Sequence, residues 1–366
     1  MSRYCSGITG GRELVVYSKL ITCLLTWSTI SARRKHPTPT GYLGPNRCPT
    51  LCRLHPINNM SDNSADDTTS TFTLPDGRKL GYAQFGAPTG RPVIVLHGLA
   101  GSRLEGAFYH DLGVELNARI IGIDRPGMGL STHQAKRTVL GFAADVGHLT
   151  EHLALKEYAI MGISGGGPVT LACAKALPAD KLRAAAMVVA LGPPDIGMTG
   201  AQLVNRIGYP HGYRYCPSFL NRWFWRRQPW GRVDLSDEER LAIVKQQTEK
   251  TKASANPREL AAMTDEPFLR IALRNTRQGF VQGYDGVLVD GGLSCMDFGF
   301  KVEDIRPNLP IHLWYGKHDV LVPPIQGVVL AKRLGDRATL HLEDETHVSM
   351  TYHRRREILE QLLKAM

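Results

Sequence analysis

Six short runs punctuate this chain: five are mostly apolar, PVIVL (92–96), ARIIGID (118–124), YAIMGI (158–163), LRAAAMVVAL (182–191) and PIHLWYG (310–316), and a sixth, ATLHLED (338–344), alternates polar and apolar residues. A strand with one face in water alternates polar and apolar residues, whereas a strand covered on both faces does not. Stretches with helical spacing lie between them: VLGFAADVGHLTEHLAL (139–155), GGPVTLACAKAL (166–177) and PPIQGVVLAKRL (323–334). RRREILEQLLKAM closes the chain as an amphipathic helix. This alternation predicts an α/β fold, a mostly parallel doubly wound sheet covered by helices on both faces. Upstream, STFTLPDGRKLGYAQFG alternates around Pro75-Asp76-Gly77 and predicts a hairpin.

The rhythm fails twice. Residues 1–70 are rich in Pro and small polar residues and read as a disordered or targeting extension. Within it, LVVYSKLITCLLTWSTI is apolar but broken by Lys19, and Met60 is itself a plausible start. A cytoplasmic protein is expected, or a mitochondrial or membrane-associated one if residues 1–35 act as a targeting segment. No stretch holds 18 uncharged apolar residues, so membrane contact is expected only through that segment. Residues 194–290 read as a helical cap inserted between the core pieces 71–193 and 291–366. Its YRYCPSFLNRWFWRRQPWGR (213–232) interleaves Trp223, Trp225 and Trp230 with arginines, read as packing residues of a small subdomain.

The net charge of +10 is uneven. Residues 1–60 carry eight Lys/Arg and one acid, leaving 36 basic and 33 acidic residues in the other 306. A balanced remainder gives no support to nucleic-acid binding. Seven widely spaced cysteines in 366 residues do not make a disulfide scaffold, and Cys48 and Cys52 have no second pair to complete a zinc set.

Gly162-Ile163-Ser164-Gly165-Gly166 fits G-x-S-x-G between an expected strand and an expected helix, the context that lifts a serine out of the backbone as a nucleophile. The Gly165 amide, opening the helix, points where a substrate oxygen becomes negative. A serine needs a base. Of 13 histidines, His347 in EDETHVSM lies in a loop past the last strand, whereas His341 reads as a strand residue and His353 as a surface one. The base needs a carboxylate. Asp319 directly follows the fifth run and is preferred to Asp195, giving the order Ser, Asp, His. In His97-Gly98-Leu99-Ala100-Gly101-Ser102 the Leu99 amide is the natural second oxyanion donor, and His97 shapes the loop.

VIVLHGLAGS, GIDRPGMGLS (122–131), GISGGG (162–167), YGKHDVLVP (315–323) and DETHVSM (344–350) resemble the α/β-hydrolase superfamily in order and spacing over roughly residues 72–366. The resemblance implies Ser164 as nucleophile, His347 as general acid/base, Asp319 as orienting acid, Leu99 and Gly165 as the oxyanion hole, and a structural role for Asp124-Arg125-Pro126-Gly127. Thr346 stands where members often carry glycine. Ser164 argues against the aspartate-nucleophile branches, and Tyr352 stands where some related acyltransferases need Asp.

A serine hydrolase follows as the expectation, cleaving a carboxylic ester of a small to medium, partly apolar substrate through an acyl-enzyme, with no metal or organic cofactor. An amide or carbon–carbon hydrolase, a natural-product tailoring enzyme and a non-catalytic ligand-binding protein remain alternatives. A small-molecule acyl substrate is the expected partner, and the oligomeric state is left open.

Overall fold

The computed structural model describes residues 68–366. The proposed extension therefore lies almost wholly outside the described residues, as do Cys48 and Cys52. All six runs form strands, joined by the hairpin pair. The strands are β1 (Thr69–Thr73), β2 (Lys79–Gly86), β3 (Arg91–Leu96), β4 (Ala118–Ile123), β5 (Tyr158–Ile163), β6 (Leu182–Val188), β7 (Ile311–Gly316) and β8 (Ala338–Glu343). They make one sheet in the order β1-β2-β4-β3-β5-β6-β7-β8. β1 and β2 pair antiparallel, as do β2 and β4, and every pairing from β4 to β8 is parallel. The run at 182–191 stops early as a strand because Val189 turns to φ +44°.

β5 shows why the central runs carry no polar alternation. All six of its residues are buried. Tyr158 and Ile160 face one apolar cluster, with Val146 and Leu149 of the helix Val139–His152 and Leu171 of the helix Gly167–Ala176. Ala159, Met161 and Ile163 face the other, with Leu104, Leu112, and Ile358 and Leu362 of the helix Arg355–Lys364. The period-two side chains of one strand thus feed two cores. Each fully buried Leu or Ile contributes about 1.5–3 kcal/mol.

Two histidines are trapped on one face near the β8 edge. The His341 ring stacks on Trp314 at 3.8 Å, and His312 lies 5.9 Å from His341. Neither ring nitrogen of His312, nor Nε2 of His341, has a hydrogen-bond partner among the described residues. Burial lowers both pKa values from 6.5, and their mutual repulsion adds to this for His312; Glu343 and Glu357 oppose it at His341. The unfolded chain therefore takes up protons first as pH falls below the ordinary histidine value. These groups withdraw stability on acidification. The loss of melting temperature between about pH 7 and pH 5 is expected to be smaller in His312→Leu than in the parent. Identical losses would contradict this account.

Between β6 and β7 the chain forms the helices Leu203–Ile207, Ser218–Trp225, Asp237–Thr251, Pro257–Thr264, Glu266–Gly279 and Asp285–Ser294. Leu241, Val244, Leu269 and Leu273 make a core of their own. The fully buried Arg240 ties that core together by donating to the carbonyls of Pro229, Trp230 and Leu273 and to the Thr276 hydroxyl. The tryptophans do not all pack as the sequence suggests. Trp225 lies against Phe280, and Trp230 packs on the small core. Trp223 is 37% exposed, with the Arg227 guanidinium over its ring.

Candidate active site

β5 ends at Ile163, and Ser164–Gly166 form a single tight turn before the helix that begins at Gly167. Ser164 sits at φ +51°. That region costs a non-glycine residue roughly 1–2 kcal/mol, so the surroundings must enforce it. They do so by close packing of side-chain and backbone atoms against the flanking glycines. A Cβ on Gly162 would collide with Thr170 Oγ1, and one on Gly166 with the Leu96 carbonyl oxygen.

The three residues of the expected triad meet. Ser164 Oγ and His347 Nε2 are 3.0 Å apart, and His347 Nδ1 lies 2.7 Å from Asp319 Oδ2. Asp319, just past β7, is buried, and its Oδ1 accepts from the Leu321 and Val322 amides, both at 2.8 Å. Those two bonds fix the carboxylate and leave Oδ2 for the imidazole. His347 is not in a loop, as the sequence suggests, but is the first residue of the helix His347–His353. Thr346 explains the difference from the usual glycine. Its hydroxyl accepts from the Ser349 amide and caps that helix. Before it, the buried Glu345 is held by Arg258, Arg354, His353 and Ser349.

Burial alone would lower the His347 pKa, but the Asp319 carboxylate outweighs it, with smaller help from Glu259 and Glu105, so the net shift is upward from 6.5. A general base must be neutral to act. The acid limb of kcat/KM is therefore expected to have its midpoint above 6.5. A pH–rate profile with a midpoint below that value would contradict the role of these carboxylates.

The loop after β3 closes the site. His97 is fully buried, Ala100 takes φ +64°, and the Gly101 amide donates to the Gly98 carbonyl. A Cβ on Gly165 would lie 2.7 Å from the Leu99 nitrogen, so the two expected oxyanion donors belong to backbones in near contact. The other candidates are elsewhere. Asp195 is exposed and paired with Arg333, His341 lies on the sheet against Trp314, and His353 is half-buried on Glu345 rather than at the surface. Among the described residues, no three His, Cys, Asp or Glu side chains cluster as metal ligands would.

A pocket of about 210 Å³ opens on Ser164 and His347. Phe108, Met263, Phe268, Ala272 and Val348 make its apolar wall, while Glu105, Asn275 and Thr276 supply polar groups. Met263, Phe268, Ala272 and Asn275 come from helices of the insert.

A profile of the alpha/beta hydrolase fold matches residues 91–353. The chain belongs to this family. Within it, solved structures share the fold at low identity. An alpha/beta hydrolase fold protein from Chitinophaga pinensis gives a TM-score of 0.55 at 18% identity over 82% of this chain and 97% of that one. An esterase from a Rhodococcus species gives 0.55 at 18% over 81% and 98%. The enol-lactonase from Burkholderia xenovorans gives 0.51 at 16% over 81% and 100%. In sequence, the proline iminopeptidase of Xylella fastidiosa is 33% identical over 110 residues, 29% of this chain and 34% of that protein. This chain therefore matches only about a third of that relative's length.

Sequence reasoning missed the polar groups that brace this family member's site. Glu105 accepts from Asn275 Nδ2 at 2.6 Å, and Asn275 Oδ1 accepts from both the amide and hydroxyl of Ser102 at 2.8 Å. Burial raises the Glu105 pKa. Asn275 is 170 residues from Glu105 in sequence, and no local spacing announces the pair. Arg125 and Asp290, 165 residues apart, form a second such link. No helix among the described residues is long and apolar enough to cross a membrane.

Proposed function

We propose that this protein is a serine hydrolase that cleaves a carboxylic ester of a small to medium, partly apolar substrate through an acyl-enzyme. The continuous hydrogen-bonded path from Ser164 Oγ through His347 to Asp319 carries this reading. Ser164 Oγ attacks the acyl carbon as His347 Nε2 takes its proton. Asp319 holds the Nδ1 proton and stabilises the imidazolium. The Leu99 and Gly165 amides hold the oxyanion. His347 then gives its proton to the leaving alcohol, and a water activated by the same nitrogen releases the acid. The helical insert acts as a cap, whose Met263, Phe268 and Ala272 favour an apolar acyl or alcohol group.

A fluorophosphonate probe tests the reading. One equivalent should attach to the parent and none to Ser164→Ala. Undiminished labelling of the variant would refute it. A panel of p-nitrophenyl esters of rising chain length then tests the apolar wall, since a strict preference for acetate would count against it. The partial match to a proline iminopeptidase favours an amide substrate as the second reading. Turnover of proline p-nitroanilide above that of every ester would select it.

A further inference from the structure

We infer that Arg125 is a positioning residue for the oxyanion hole: it aims the Leu99 amide at Ser164 by gripping the carbonyl of the same peptide unit. The inference rests on the serine-hydrolase reading of this site. A trans peptide is planar, and its C=O and N–H point in opposite directions. Whatever fixes the Gly98 carbonyl therefore fixes the direction of the Leu99 N–H. Three donors converge on that oxygen. Arg125 Nη2 donates at 3.0 Å, the Gly101 amide at 3.1 Å, and His97 Nδ1 lies at 2.8 Å. The other guanidinium arm, Nη1, holds the neighbouring His97 carbonyl. One planar fork thus spans two successive carbonyls, which a lysine ammonium cannot reproduce.

The imidazole of His97 belongs to the same device. Its Nε2 accepts from the Arg125 amide at 3.4 Å, which assigns the ring proton to Nδ1, facing the Gly98 carbonyl. Burial and the Arg125 charge keep this ring neutral. Gly98 comes within 3.5 Å of Ser164 Cβ, measured from where its own Cβ would stand. The gripped peptide therefore adjoins the nucleophile. Donors on a peptide carbonyl also polarise its N–H, which strengthens it as an oxyanion ligand.

Arg125 is itself held from the insert. It is 1% exposed, and its Nε pairs with Asp290 of the helix Asp285–Ser294. Arg137 pairs with the other Asp290 oxygen at 2.7 Å and donates to the Gly286 carbonyl. A carboxylate on the insert is thereby connected, through one arginine, to the direction of an amide beside the reacting serine.

The test compares the full-length parent with Arg125→Lys and Arg125→Ala. Arg125→Lys keeps the charge beside Asp290 but not the fork. It is expected to lower kcat about 10- to 100-fold with KM changed less than about three-fold, because the oxyanion forms only after substrate is bound. A trifluoromethyl ketone, whose serine adduct carries an oxyanion, should lose affinity by a similar factor. Millimolar guanidinium should restore part of the kcat of Arg125→Ala, a response that general loosening does not give. Asp290→Asn leaves the fork but removes its anchor, and a smaller loss confined to kcat is expected. It stands in as the test if both Arg125 variants fail to fold. Independently of turnover, the Leu99 amide resonance of ¹⁵N-leucine-labelled protein, recognised by its absence in Leu99→Met, should move in Arg125→Lys. Unchanged kcat and an unmoved Leu99 resonance would overturn the proposal. A parent inert to esters and to the ketone would instead sink the hydrolase reading, and the Leu99 resonance alone would then decide the role of Arg125.

Discussion

Ser164→Ala is expected to lower kcat/KM by about 10⁵- to 10⁶-fold while leaving the melting temperature nearly unchanged. The loss is large because, in the proposed mechanism, the nucleophile acts as a unit with its base. Without Oγ, His347 Nε2 has no proton to take, although the two oxyanion amides remain. Stability is spared because alanine and serine are similarly disfavoured at φ +51°, and Gly162 and Gly166 still impose the turn. The variant gives up a single hydrogen bond to His347, worth about 1 kcal/mol. Steady-state kinetics with the best p-nitrophenyl ester, beside a thermal melt, make the measurement. Activity within ten-fold of the parent would mean that another group attacks.

Asp319→Asn is expected to cost about 10⁴-fold in kcat without disturbing the fold. The reason lies in which oxygen is already occupied. Oδ1 accepts from the Leu321 and Val322 amides, so the asparagine carbonyl must take that place and its NH₂ must face His347. An NH₂ donor there requires Nδ1 to be bare, which puts the ring proton on Nε2. That is the nitrogen that has to accept from Ser164. The same change removes the main charge that lifts the His347 pKa, so the midpoint of the acid limb should move down as the rate falls. A rate loss with no movement of the midpoint would separate the tautomer effect from the electrostatic one. Retention of most of the kcat would show that the carboxylate does not orient the base.

The parallel core was legible because strands buried on both faces must be apolar throughout, and β5 satisfies this at every position. The elbow was legible because it combines a serine with glycines whose absent Cβ atoms have specific collisions to avoid. Asp319 and His347 could be placed because each follows a strand directly, at the edge where β5 also ends. The helix beginning at His347 was not foreseen. Its cap is Thr346, and a residue that looked like a departure from the usual glycine is what starts the helix. The fates of the tryptophans could not be read from their spacing, because tertiary partners such as Phe280 decide them. Glu105–Asn275 and Arg125–Asp290 escaped for a related reason. Each joins the sheet's loops to a distant helix, and local pattern carries no record of it.

Gly279 closes the helix that carries Asn275, and a Cβ there would strike the carbonyl oxygens of Ala100 and Gly101. Backbone thus rests on backbone at the loop that presents the Leu99 amide. Under the proposed function, exchanging this module for one from a related scaffold would therefore transplant part of the oxyanion loop's support along with the pocket wall. Chimaeras should keep their catalytic power only when the donated helix brings a matching glycine and a matching amide side chain to that loop.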